Sequence, residues 1–595
     1  MATGRAVFVR VLAATVAVAL AATGLGAAPV AAQVSVPEDC PEIKPTSEVV
    51  DGMTATGFTV SDGADPEPFD VEVLGVLANG VAPGRDMIVV ETSSPAIEDA
   101  GGIWFGMSGS PVYEDTTGEL LGAVAFGLSG GPSSIGGLTA AEDMIELLDY
   151  PSTLASAAAG SVALTGSLER RVARREGVAP TNLTMRRLRA PLSVSGLTDR
   201  ALDVLSKAIR KEGNKYVVTS GGSARAAEAG AELATIGAGD TFAAALSYGD
   251  VTIGGIGTTT LVCDDQAVAF GHPFTWMGKT QLGANRGLTH TIVDDPLFGP
   301  YKLADITEPV GTVDQDRLAG IRAALDAAPD LRPVTSSISA PDINRSDDGS
   351  SQAVTDEIVP ALGFNHLLGS IDSTFDAIGE GSSRVAWTVT GRTESGEPWS
   401  LSRSNRYSSN FDISFESSFE VPSQLSRLLN NRFTEIDFTS VDLDATVTEE
   451  RSGYRIGKVL HRTAGGAFTG GRRIRVRPGS KLTLRVQLSR VDGGSPRFVN
   501  LKVAMPRGLR FGSLAIHGGG SAGSFECFFE LGPCSSRSGK VDSFDELIDS
   551  LEDAPKGSDL LATLTTNSNK HRRVSVGLDA VVEGFRFLRL RSTKN

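Results

Sequence analysis

The stretch Gly106-Met107-Ser108-Gly109-Ser110-Pro111 decides the reading of this chain. It lies between two segments with the alternating pattern of β-strands, and it holds a serine in a Gly-x-Ser-Gly-x-Pro frame. Glycine on either side lets the backbone turn without a Cβ clash, so the serine is presented at the tip of the turn. Such a turn also aims main-chain N–H groups at one point, which is how an oxyanion hole is built from backbone alone. Here the donors are expected to be the N–H groups of Ser108 and Gly106.

A serine nucleophile is weak until a base stands within hydrogen-bond reach. The chain has six histidines, and none precedes Ser108. Only His272, in Ala269-Phe270-Gly271-His272-Pro273-Phe274, sits in a glycine-framed turn after a strand-like segment. It is the candidate base. The spacing of Cys and His residues gives no zinc-type pattern. Neither metal nor organic cofactor is expected.

Working outward, 595 residues exceed what one core organises, and several domains are expected. Charged residues make up 21% and aromatic residues 6%, with 68 glycines, as suits many short strands joined by tight turns. A net charge of −16 argues against nonspecific nucleic-acid binding. The N-terminus reads as an export leader: Arg5 and Arg10, an apolar run over Val11 to Ala28, then Val30-Ala31-Ala32 as an A-x-A-like cleavage site. Residues 1–32 are therefore expected to be a signal peptide, and the product to be secreted or associated with the cell envelope. In that compartment the four cysteines read as disulfides. Cys527 and Cys534 are near neighbours in the chain, and Cys40 would then pair with Cys263, although sequence alone leaves three connectivities open.

Residues 33–154 read as a β-rich first half. Phe69, Val71 and Val73 alternate with Asp70 and Glu72, Met87 to Val90 is an apolar strand, and Pro111 to Phe126 is a hairpin. Thr139-Ala140-Ala141-Glu142 predicts a capping box opening a helix through Leu148. Residues 155–235 form an arginine-rich, partly helical insertion, in which Thr198 caps a helix carrying Ala201, Leu202, Leu205, Ala208 and Ile209 on one face. Its arginines read as a solvated face, with Arg170-Arg171 and Arg174-Arg175 as candidate processing sites. Residues 236–330 make a second β-rich half carrying His272, and 331–444 a mixed α/β connecting region. Residues 445–595 read as a β-sandwich-like domain, from the strict alternation of Leu482, Leu484, Val486 and Leu488 and the strands over Val574 to Leu590. Within it, Ser543 to Asp553 predicts an acidic surface helix or loop.

Together these pieces resemble the SpoIVB-type serine peptidases. The resemblance rests on Gly101-Gly102-Ile103, the Gly106–Pro111 loop, Leu121-Gly122-Ala123-Val124, Gly255-Ile256-Gly257-Thr258, Phe270-Gly271-His272 and the stretch from Gly311 to Ile321. It spans most of residues 50 to 325. It implies a mainly β, trypsin-like double-barrel peptidase fold, with Ser108 as nucleophile and His272 as general base. The function implied is exported endopeptidase cleavage of selected protein or peptide substrates. Two features depart from the family. Serine precedes histidine, as in a permuted order of the two halves, and triads are recognised by geometry rather than chain order. The family's acid, fifteen positions before the nucleophile, is replaced by Ser93. Asp86, Glu91 and Asp99 are the nearby substitutes, with Glu91 first among them because it lies on the predicted strand. No PDZ module is evident. The missing acid and the large C-terminal region also fit an alternative, a catalytically inactive peptidase-fold binding or scaffold protein at the cell surface, with the C-terminal β region as the surface for such a partner.

Overall fold

The computed structural model describes residues 40–150, 161–211, 216–228, 230–295, 299–463, 465–519, 541–566 and 571–593. The expected leader, Cys527 and Cys534 lie outside the described residues. Among the described residues no helix is long and apolar enough to cross a membrane.

Two closed barrels follow from the strand pairings. In the first, six strands run in the order Pro111–Glu114, Thr54–Thr59, Glu67–Ala82, Arg85–Ser93, Ile135–Ala140 and Leu120–Leu128. The last pairs back onto the first through Pro111↔Ala123 and Val112↔Gly122, which closes the ring. Closure removes the exposed edges that an open sheet would present. The apolar alternation read from the sequence fills this barrel: Phe69, Val71 and Val73 are buried between the outward Asp70 and Glu72.

The second barrel is built the same way from Thr252–Cys263, Gln266–Ala269, Gly320–Ala324, Tyr301–Arg317, Gly278–Val293 and Thr241–Gly249, closed by Thr241↔Thr258 through Ala245↔Gly254. The fold is thus mainly β and double-barrelled, as the resemblance implied. The disulfide Cys40–Cys263 spans 223 residues of chain and ties the start of the described chain to the end of the Thr252–Cys263 strand.

The second barrel's sheet continues on one side into Ala190–Ser195 and Tyr216–Ser220 and on the other into five further strands. The latter are covered on one face by the helix Val359–Phe375, whose Val359, Leu362, Leu367 and Ile371 are buried in the same core as the barrel. Beyond residue 450 two sheets enclose a separate core of Leu482, Leu484, Val486, Leu488, Leu514, Ile516 and Leu588, among others. That is the expected sandwich.

One local expectation is corrected and two are qualified. Thr139 does not cap a helix: the helix Ala141–Ile145 has no side-chain cap, because the Thr139 hydroxyl is drawn instead to the Gly271 carbonyl at 2.6 Å. Glu142, the other half of the expected box, accepts from Thr46. The acidic helix Phe544–Glu552 does expose Asp545, Glu546 and Asp549, but its other face is anchored: Phe544, Leu547, Ile548 and Leu551 are buried against the middle region and Phe544 meets the Trp399 ring edge-on at 5.7 Å. The arginines of the insertion divide: Arg170, Arg174 and Arg186 are exposed, whereas two others anchor the segment. On the helix Gly166–Arg175, Arg171 pairs with Asp51 and the Leu74 carbonyl, and Arg175 with Glu72 and Glu91, pinning the helix to the first barrel.

Candidate active site

The Ser108 loop is held by its carbonyls. Lys302 N–H donates to the Phe105 carbonyl at 2.8 Å, and Phe105 N–H donates to the Pro300 carbonyl at 2.8 Å. The N–H of Gly106 belongs to the same trans peptide as the Phe105 carbonyl and therefore points the opposite way. Thr258 takes the next two carbonyls: its hydroxyl donates to Gly106 at 3.2 Å and its N–H to Ser108 at 2.8 Å. The Thr260 hydroxyl takes the Gly109 carbonyl at 2.8 Å. Gly106 and Gly109 supply the left-handed turns this path needs, at φ +93° and +96°. Among the described residues, the N–H groups of Gly106 and Ser108 donate to no protein acceptor. These are the two expected oxyanion donors. Ser108 itself is fully buried and its Oγ has no hydrogen-bond partner.

The histidine loop meets the same residue. Phe270 N–H donates to the Thr258 carbonyl at 3.1 Å, so the main chain and side chain of Thr258 join both loops. The turn passes through Phe270 and Gly271 in the left-handed region, at φ +72° and +64°. Gly271 packs against Ala125 and Val124 of the first barrel, and the Phe270 ring sits 6.1 Å from the imidazole. His272 Nδ1 lies 2.8 Å from the Pro273 carbonyl. A carbonyl only accepts, so the proton is on Nδ1 and the lone pair on Nε2. Nε2 is buried and unpartnered, like the serine Oγ. Burial, reinforced by the nearby Arg187 cation and opposed by the Pro273 carbonyl, lowers the imidazole pKa to about 3. The ring is neutral across the physiological range.

Behind this loop stands Asp316, a buried carboxylate absent from the sequence-derived candidates. It accepts the N–H groups of Phe274 at 2.9 Å, Thr275 at 2.6 Å and Trp276 at 2.6 Å, and the Thr275 hydroxyl at 2.7 Å. It thereby fixes the chain that follows His272 and Pro273. Arg187 lies over the Trp276 ring at 5.9 Å. Burial raises the Asp316 pKa while these hydrogen bonds lower it. On the other side of the serine loop, Lys302 is fully buried, with Nζ donating to the Thr241 hydroxyl at 3.3 Å, and burial lowers its pKa to about 7.

The carboxylates proposed from sequence lie elsewhere. Glu91, on the Arg85–Ser93 strand, is opposite Glu72 and is engaged by Arg175. Asp86 accepts from Asn79 N–H at 2.8 Å, and Asp99 ends the short helix Pro95–Asp99 in solvent. Among the described residues the one hydrogen-bond partner of the His272 ring is the Pro273 carbonyl. Among them, too, no group of three His, Cys, Asp or Glu side chains is placed to hold a metal. Sequence reasoning missed the roles of Thr258, read only within a glycine-rich match, of Thr139, read as a helix cap, and of Asp316, because no local pattern shows which distant carbonyl or N–H such a side chain will meet. Only the run Thr258-Thr259-Thr260, all fully buried, is unusual for a polar triplet.

Residues 25–145 match the family described as SpoIVB peptidase S55. No curated protein and no solved structure matches the chain. The matched segment contains most of the first barrel and the Ser108 loop, and it ends before His272. The likeness to SpoIVB peptidases therefore covers the barrel that carries the Ser108 loop.

Proposed function

We propose that the protein is an exported serine endopeptidase that acts on selected protein or peptide substrates. Ser108 Oγ attacks the scissile carbonyl, and His272 Nε2 takes the hydroxyl proton and returns it to the leaving amine. The N–H groups of Gly106 and Ser108 receive the oxyanion. The observation that carries this reading is the shared anchorage of both loops on Thr258, with both oxyanion N–H groups free of protein acceptors. Ser108 Oγ and His272 Nε2 are not hydrogen-bonded to each other in this closed conformation, so the proton transfer requires the two loops to draw together.

The Pro273 carbonyl, held in place by the Asp316 cradle, does here what an acid does in a full triad, which is to fix the tautomer of the base. It supplies no negative charge to stabilise the imidazolium, so a slower enzyme than a full triad is expected. Ser108 is 0% and His272 2% exposed, so this conformation is closed and substrate must open the joint between the barrels. Lys302 and Pro191, of the strand Ala190–Ser195, both pack against Gly106 and bound the joint at the serine loop. The lack of a carboxylate on His272 favours one second reading, the inactive scaffold. Incubation of the purified protein with an unfolded protein substrate, beside Ser108→Ala and His272→Ala, separates the two. Cleavage by the wild type alone supports the peptidase, and equal cleavage by all three, or by none, supports the scaffold.

A further inference from the structure

The net charge of −16 hides a division along the chain. Residues 445–595 carry 25 Lys and Arg against 14 Asp and Glu, so everything acidic about the protein lies before them. Within the sandwich proper, over residues 451–519 and 559–593, the counts are 21 against 4. Three of those carboxylates are already paired: Asp492 with Arg490, Asp579 with Arg497 and Glu583 with Arg451.

Five of the uncompensated cations share the outer face of one sheet, whose strand order is Arg473–Val476, Phe585–Ser592, Phe511–Gly518, Asp559–Thr566 and His571–Gly577. Along the first two strands Ile474, Val476, Leu588 and Leu590 point into the core, so Arg473, Arg475, Arg589 and Arg591 point out. The register sets Arg473 beside Arg589 and Arg475 beside Arg591. Neighbouring strands are about 4.8 Å apart and same-face residues about 7 Å, so this is a flat two-by-two array of guanidinium groups. Arg573 stands exposed on the opposite edge strand. Among the described residues none of these five arginines has a carboxylate partner. The one acid on the same face, Asp559 at the first rung of its strand, accepts the Lys556 N–H. Like charges side by side are destabilising in a sheet unless something outside neutralises them.

Between the two edges the same face exposes Phe511 at 62%, Phe585 at 55% and Phe587 at 47%. Phenylalanine offers no polar edge to water, and three of them on one open face mark a contact surface.

We propose that this face docks on an anionic phospholipid bilayer, with the arginines on headgroup phosphates and the phenylalanines at the acyl boundary. Charged rims around an apolar centre are what interfacial binding uses. A single-stranded nucleic acid asks instead for a basic groove that tracks its backbone beside stacking platforms. The cations here flank an open sheet on both edges, and the export leader read in the sequence places the chain among lipids rather than nucleic acids. Docking would hold the peptidase barrels at a membrane surface.

The test is cosedimentation of the full-length protein with vesicles of phosphatidylcholine alone and of phosphatidylcholine mixed with phosphatidylglycerol, over a salt series. The expected result is binding to the mixed vesicles only, weakening as salt rises. Each surface arginine is worth about a fivefold gain in affinity for an anionic leaflet. The double variant Arg589→Gln/Arg591→Gln should therefore lose roughly 25-fold while keeping the wild-type unfolding temperature. Phe585→Ser/Phe587→Ser should leave only a weak binding that salt fully reverses, and Lys502→Gln, on the other sheet, should bind as the wild type does. Binding that ignores phosphatidylglycerol, or undiminished binding by the arginine variant, overturns the proposal. So does an oligonucleotide that strips the protein from vesicles, or self-association in place of vesicle binding that the arginine variant abolishes.

Discussion

Replacing Gly109 with alanine strikes the point where the serine loop, Thr258 and the histidine loop converge. A Cβ at this position would lie 1.9 Å from the Thr258 carbonyl oxygen and 2.6 Å from the Phe270 nitrogen. Both are backbone atoms, so no side chain can swing aside. An ordinary C···O contact is about 3.3 Å, and the joint would have to open by about 1.4 Å to admit the methyl group. The left-handed φ of +96° adds about 1–2 kcal/mol for an L side chain. Overpacking adds about 1–3 kcal/mol. Loss of the bonds from Thr258 N–H to Ser108 and from Phe270 N–H to Thr258 adds about 1 kcal/mol each. A destabilisation of about 4–7 kcal/mol follows, read from urea unfolding. A displacement of about 1 Å at a catalytic joint typically costs about a hundredfold in rate, so labelling of Ser108 by a phosphonate probe should slow at least that much in whatever fraction stays folded. Gly118→Ala is the control. It shares a left-handed φ of +74° but has nothing within 4 Å of its Cβ, so about 1 kcal/mol and unchanged labelling are expected. A Gly109→Ala protein with wild-type stability and labelling rate would refute the convergence on Thr258.

Further outcomes follow from the same contacts. Burial holds His272 neutral down to about pH 3 and His366 to about pH 4, whereas both bind protons near 6.5 when unfolded. The stability tied to each neutral ring is whole above pH 6.5 and falls as pH drops toward the folded value, by about 1.4 kcal/mol per pH unit. His272→Gln should flatten the urea-derived stability profile by about that slope between pH 6 and 4, and an unaltered slope would show an accessible ring. Asp316→Ala strands the N–H groups of Phe274, Thr275 and Trp276, at about 1–3 kcal/mol each where burial keeps water out. It should abolish probe labelling, and a stable, normally labelled variant would remove Asp316 from the histidine loop's support. Opening the Cys40–Cys263 bridge frees a loop of 223 residues, worth about 5 kcal/mol in the chain-entropy treatment. Cys40→Ser/Cys263→Ser should lower the urea midpoint accordingly, and an unchanged midpoint would place the constraint elsewhere.

Much of this architecture is legible in the residues themselves. Period-two burial is written into Phe69-Asp70-Val71-Glu72-Val73 and into Leu482 to Leu488, and a glycine-framed serine after a turn is a strong local signal. What the sequence conceals is pairing across long separations. Thr139 has the form of a helix cap, but a carbonyl 132 residues away outcompetes the local N–H. The helix over Phe544–Glu552 shows its acids at once, while the apolar stripe of Phe544, Leu547, Ile548 and Leu551 makes sense only beside Trp399. The same holds at the site. Ser108 and His272 announce themselves by their glycines, whereas Glu91 looked eligible by position and turns out to be the partner of an arginine. Thr258 and Asp316 act through backbone groups, which no residue pattern encodes.

The central claim is that Ser108 is a nucleophile activated by His272, and the most direct measurement is phosphonate labelling followed by mass mapping of the modified peptide. The account predicts a single adduct on Ser108 in the wild type, absent from Ser108→Ala and from His272→Ala, with both variants folded. An adduct elsewhere, or labelling of Ser108 that survives His272→Ala, would contradict it.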